Sequence, residues 1–169
     1  MTLCELQIKN NYTTDKGTTH SYLEVYDRLF KPFQDKEINL LEVGIATGGS
    51  LKLWEDYFSK AHIWGIDIID EVKYKYGKRV YTSIYKLEEV EFSLYLDIAI
   101  DDGSHFVKDQ MKFINSFWPA IRKGGLLIIE DVHDLETNLP VFQWSGINFE
   151  VLDMRDKGPH DNVLLIFRK

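Results

Sequence analysis

The chain has 169 residues, with 20 Lys and Arg against 27 Asp and Glu, a formal net charge of −7. That length suits a single domain over residues 1–169, and 44% hydrophobic residues with only 4 Pro exclude disordered and collagen-like classes. An acidic chain lacks the basic footprint of general phosphate-backbone binding, so no nucleic-acid partner is expected.

No apolar run approaches the ~20 residues that span a bilayer, so no membrane partner is expected. Residues 1–10 carry neither a basic start nor an apolar core, so no secretory leader is expected. One cysteine, Cys4, allows no internal disulfide and no cysteine-based zinc cage. The expected location is cytoplasmic.

In chain order, residues 22–33 place Tyr22, Val25, Tyr26, Leu29, Phe30 and Phe33 on one helical face. Residues 39–45 read as a buried strand running into Gly44-Ile45-Ala46-Thr47-Gly48-Gly49-Ser50. Ser50 is the expected N-cap of a helix over 51–58. Strands follow at 62–68, ending near Asp67, and at 79–84; the basic cluster Lys73, Lys75, Lys78 and Arg79 reads as a solvated loop. Residues 96–100 form a fourth strand, ending in Asp101-Asp102-Gly103. A helix over 106–121 is expected to close at Lys123-Gly124-Gly125. A fifth strand, 126–129, ends in Glu130-Asp131, and strands 149–154 and 163–167 form an antiparallel closing hairpin.

Strand, helix and strand in repetition predict a Rossmann-like α/β fold. The expectation is a mostly parallel seven-stranded sheet with an antiparallel terminal hairpin and helices on both faces. Residues 1–38 form a leading helical segment and 39–169 the core.

Two constellations carry chemistry. Glycines after a strand admit a ligand close to the backbone, beside the free N–H groups of a helix start. The spacing is not the dinucleotide G-x-G-x-x-G. Glu42 suits an ammonium group, and Asp67 at the next strand end suits ribose hydroxyls. S-adenosylmethionine is a nucleoside with such a positive tail. The second constellation is Asp101-Asp102-Gly103-Ser104-His105 with Glu130-Asp131-Val132-His133. Two acidic clusters at neighbouring strand ends repel unless a cation lies between them. Oxygen donors without thiolates favour magnesium or calcium over zinc. His105 has an imidazole usable as a base near neutrality.

The glycine-rich turn resembles motif one of class I S-adenosylmethionine-dependent methyltransferases. Ile100-Asp101-Asp102-Gly103-Ser104-His105, Phe117-Trp118-Pro119, Gly124-Gly125 and Ile129-Glu130-Asp131 resemble the macrolide sugar O-methyltransferases of the mycinamicin and macrocin type and their cephalosporin-hydroxylase-like relatives. Residues 14–22, with Tyr26 following, resemble them too, so the resemblance runs over about residues 12–131. It implies a Rossmann-like methyltransferase fold and S-adenosylmethionine on Glu42, Gly44, Gly48, Ser50, Asp67 and Asp102. It also implies a magnesium ion (Mg2+) on Asp102, Glu130 and Asp131, with His105 as general base. The separate N-terminal domain that some sugar methyltransferases use for assembly and acceptor binding is not expected in these 169 residues, which leaves a homo-oligomer and the acceptor open.

The resulting expectation is metal-dependent O-methylation of a sugar or glycan hydroxyl, with a small-molecule or glycan acceptor. The alternatives are a catechol-type or other small-molecule O-methyltransferase and a non-catalytic nucleoside-binding module. Asp15, Lys16 and His20 are too polar for a plain linker and are expected to close over cofactor or acceptor.

Overall fold

In a computed structural model describing residues 1–69, 77–84 and 94–169, the apolar runs become strands. These are β1 (Asn39–Val43), β2 (His62–Asp67), β3 (Val80–Ile84), β4 (Leu96–Asp101), β5 (Ile121–Ile129), β6 (Phe149–Asp153) and β7 (Val163–Arg168). They form one sheet in the order β3-β2-β1-β4-β5-β7-β6. Strands β1 to β5 pair in parallel, and β7 runs antiparallel to both β5 and β6. Connections leave β1 toward one edge and β4 toward the other, so a crevice opens at their carboxyl ends. Of the basic cluster, Lys73 and Lys75 lie outside the described residues, and Lys78 is exposed.

Five helices cover the sheet among the described residues: α1 (Leu3–Asn10), α2 (Tyr22–Phe30), α3 (Gly49–Tyr57), α4 (Val107–Phe117) and α5 (Leu135–Gln143). On one face Tyr26, Phe30 and Trp54 join Leu40, Ile98, Ile128 and Ile166 in a single core. On the other, Phe113, Phe117 and Phe142 join Leu41, Ala99, Leu127 and Leu165. Neighbouring strand residues point to opposite faces, so the unbroken apolar runs feed both cores. Each such Leu or Ile contributes about 1.5–3 kcal/mol by leaving water.

Several local expectations are corrected. The helix expected over 22–33 stops at Phe30 and tightens into a 3-10 turn, Lys31–Phe33, because Pro32 has no N–H for the helical ladder. Gly48, with φ +84°, caps α3, and Ser50 lies within its first turn. The helix expected over 106–121 likewise stops at Phe117, before a 3-10 turn containing Pro119. Gly124 and Gly125 do not cap it. They lie inside β5, where the Gly124 N–H donates to the Lys169 carbonyl at 2.7 Å and the Gly125 carbonyl accepts from the Lys169 N–H at 3.1 Å. α1 and α5 are additions: α1 begins with a reciprocal Thr2–Glu5 capping box, and α5 carries Pro140, which masks its helical pattern. No helix of the described residues is long and apolar enough to cross a membrane.

Candidate active site

A cavity of about 1240 Å³ opens at the carboxyl ends of β1, β2, β4 and β5. Its floor is the glycine turn. Gly44 has φ +82°, and a Cβ there would strike the Asp102 carbonyl, so the β1 and β4 ends meet only through a glycine. A Cβ on Gly49 would strike the Thr13 carbonyl, where the leading segment crosses the start of α3. Asp67 Oδ2 accepts from the N–H groups of Ile45 and Ala46, each at 2.9 Å, and its Oδ1 accepts from Ile69 N–H at 3.0 Å. That carboxylate ties the end of β2 to the turn while still lining the cavity.

Four non-glycine residues that line the cavity, Asn11, Ala46, His105 and Asp131, hold positive φ. Backbone strain of this kind persists only where surroundings over-determine it, as at ligand sites. Among the described residues, Asp15, Asp67, Asp101, Asp102, Asp109 and Asp131 line the space with His105, and no Lys or Arg does.

Behind the wall lies a buried cation. Lys16 is 0% exposed, and its Nζ sits 2.6 Å from Asp102 Oδ2, 2.7 Å from Glu130 Oε2 and 3.2 Å from Glu42 Oε1. The second oxygens of Glu42 and Glu130, and one oxygen of nearby Asp131, have their own donors. Trp54 Nε1–H donates to Glu42 Oε2 at 2.7 Å, Tyr26 O–H to Glu130 Oε1 at 2.5 Å, and Tyr22 O–H to Asp131 Oδ1 at 2.6 Å. The His20 ring stacks on Tyr22 at 4.9 Å. Burial pulls the Lys16 ammonium toward neutrality, but Asp102, Glu130 and Glu42 push its pKa well above the ordinary lysine value, so it stays charged. One ammonium does not balance these carboxylates: burial pushes Asp102 up to about 7 against the pull of Lys16.

His105 faces the cavity with Nε2 3.8 Å from Asp131 Oδ2, and its ring stacks on His133 at 6.0 Å. Burial lowers its pKa, opposed by Asp131, so the neutral imidazole prevails at neutral pH. Asp102, His105 and Asp131 offer three donor atoms within 4.8 Å of one another. Two carboxylates and an imidazole can hold a hard divalent ion or hold and move a proton.

No protein-family model matches the chain. The 8-demethyl-8-alpha-L-rhamnosyl tetracenomycin-C 2'-O-methyltransferase of Streptomyces olivaceus is 32% identical over 145 residues, 77% of this chain and 37% of that enzyme. The mycinamicin VI 2''-O-methyltransferase of Micromonospora griseorubida is 30% identical over 141 residues, 75% of this chain and 35% of that enzyme. The chain is a homologue of the macrolide sugar O-methyltransferases. A solved structure of the MycE methyltransferase in complex with Mg and SAH matches with TM-score 0.79 at 25% identity, over 99% of this chain and 54% of that one. The homologue described here thus has the Rossmann-like methyltransferase fold, and it spans little more than a third of the length of these curated relatives.

Of the residues singled out in the sequence, Asp15, Gly44, Ser50, Asp67, Asp102, His105 and Asp131 line the cavity, whereas Glu42, Gly48 and Glu130 do not, nor do Lys16 and His20, which were expected to close over it. Glu42 meets the ammonium of Lys16 rather than the cavity, and Glu130 is held between Lys16 and Tyr26. The reason is strand alternation. Glu42 shares the sheet face of Leu40, and Glu130 continues that of Ile128, both covered by α2 and α3. Between Asp102 and Glu130, two of the residues expected to hold a metal ion, the structure places the Lys16 ammonium. Sequence reasoning missed that role, and those of Tyr22, Tyr26 and Trp54, because each pairing joins distant segments. The signal available was the unbalanced acid at the ends of β4 and β5, but it does not choose among 20 Lys and Arg.

Proposed function

We propose that this chain is the core of an S-adenosylmethionine-dependent O-methyltransferase that uses magnesium to methylate a hydroxyl of a sugar. The observation that carries this reading is a neutral His105 beside Asp102 and Asp131 on the wall of an acidic cavity floored by the glycine turn. The names of the relatives support a sugar hydroxyl as acceptor, and the Mg and SAH of the MycE complex support both cofactors.

The residues fit both groups. A cavity wall with six Asp and no described Lys or Arg favours a cofactor carrying sulfonium and ammonium charges. Asp67 has about four acceptor positions, three of them taken by backbone N–H groups, which leaves one for a ribose hydroxyl. Asp102 and Asp131 supply hard oxygen donors at the cavity, with Glu130 directly behind. A bound magnesium ion would polarise the acceptor hydroxyl and fix its direction. His105 is placed to take the proton of a hydroxyl held at the cavity wall and Asp131 to steady the resulting imidazolium, while S-adenosylmethionine would supply the methyl and leave as the thioether. The glycine turn and residues 13–15, which line the cavity, would border the bound cofactor and limit water around it.

The test supplies methyl-labelled S-adenosylmethionine and magnesium with rhamnosyl and deoxysugar glycosides, and with catechol in parallel. Label is expected on glycoside hydroxyls and lost in excess chelator. Transfer to catechol alone overturns the acceptor class. Tight cofactor binding with no transfer to any acceptor points to a nucleoside-binding module instead.

A further inference from the structure

We propose that Lys16 is the resident cation of an inner carboxylate cage, formed by Glu42, Asp102 and Glu130, and that it keeps divalent ions out of that cage. Donor oxygens of these three side chains all lie within 4.8 Å of one another, close enough to surround a single cation. The ammonium occupies that centre, at 2.6, 2.7 and 3.2 Å from the three carboxylates, and it is wholly buried. Without it, three carboxylates would share a water-poor space, an arrangement that proteins accept only with a metal or with protonation.

The segment that delivers Lys16 is built for it. The Asp15 carbonyl accepts from the N–H groups of Thr18, Thr19 and His20, and the Lys16 carbonyl accepts from those of Tyr22 and Leu23, so the turn caps onto the start of α2. Gly17 lets that turn close, since a Cβ there would strike Leu23. Trp54 and Tyr26 pin the far oxygens of Glu42 and Glu130, which keeps the cage open around the ammonium. Of the cage residues only Asp102 also lines the cavity, so an ion arriving there meets Asp102 and Asp131 rather than Glu42. Lys16 therefore sets where the metal of the proposed reaction is held. This last point rests on that reading, whereas the cage itself does not.

The experiment counts bound Mn2+ by electron paramagnetic resonance and follows thermal unfolding, in wild type, Lys16→Met and Lys16→Met/Glu42→Gln/Glu130→Gln. Lys16→Met should bind one Mn2+ per chain more than wild type. Its melting temperature should fall in chelator and recover with Mn2+. The triple variant, whose cage keeps only the Asp102 carboxylate, should lose the extra ion and melt independently of Mn2+. If Lys16→Met folds only with Mn2+ present, that also supports the cage. An unchanged Mn2+ count in a folded Lys16→Met protein overturns it. So does a triple variant as unstable in chelator as Lys16→Met, because the role of Lys16 is then packing rather than charge. Wild type that binds no Mn2+ removes the metal from the proposed reaction but leaves the difference between wild type and Lys16→Met as the measure of the cage, so the two readings fail separately.

Discussion

The Tyr22 hydroxyl donates to Asp131 Oδ1 at 2.6 Å, and the Asp131 N–H donates back to the Tyr22 oxygen at 3.3 Å. The first residue of α2 thus orients a carboxylate that stands just past β5 with φ +53°. Tyr22→Phe keeps the ring and removes the donor. The expected cost is about 1–2 kcal/mol in urea unfolding, with weaker Mn2+ binding and unchanged cofactor affinity. Wild-type stability and metal binding together would show that Asp131 is held without the Tyr22 hydroxyl.

Asp67 both ties the glycine turn and faces the cavity. Asp67→Ala should cost about 1–3 kcal/mol of S-adenosylmethionine affinity by calorimetry. Asp67→Asn keeps one acceptor oxygen and should lose less. Equal affinity in all three proteins removes Asp67 from the cofactor site.

His105 holds φ +59°, so an alanine variant would confound chemistry with backbone strain. Asparagine tolerates that conformation better. His105→Asn should retain cofactor and metal but lose turnover by roughly 10²–10⁴-fold. Because burial lowers the imidazole pKa from 6.5, the acid limb of the wild-type rate profile should lie below the ordinary histidine range. Activity should rise through that limb as the base loses its proton, and the limb should vanish in the variant. A surviving limb assigns the proton to another group, with His133, stacked on His105, the next candidate.

Asp101 is 5% exposed, and burial pushes its carboxyl from 3.8 up to about 7. The folded state therefore binds this proton more tightly than the unfolded chain does. Its contribution to stability is fully present below pH 3.8 and is lost as the pH rises through about 7. Asp101→Asn keeps an oxygen that can accept from the Gly103 N–H. Measured in chelator, the variant should exceed wild type by about 2–4 kcal/mol at pH 8, with the difference closing toward pH 4. A pH-independent difference would mean that Asp101 is already ionised at no cost.

Strands β1, β2, β4 and β5 were legible because each is a short apolar run broken by acid or glycine, a pattern that depends only on near neighbours. The closing hairpin was legible because residues 155–162 leave no room for a crossover helix. Gly124-Gly125 misled because a glycine pair after a helix ordinarily ends it. Here the last residue of the chain, Lys169, pairs with both glycines, and no local pattern records that partner.

The sequence by itself determined which residues stand at the ends of the strands, and so that Asp67, Asp102, His105 and Asp131 gather at one crevice. Strand length and alternation are local properties, and the crevice follows from the order of the strands. Only the tertiary structure decided which donors the inward-facing carboxylates meet. Those donors are Trp54 across 12 residues, Lys16 across 86 and 114, and Tyr26 across 104. A buried carboxylate must take whatever donor the packed helices bring to it, since the cost of leaving it unpaired exceeds any local preference of its own side chain.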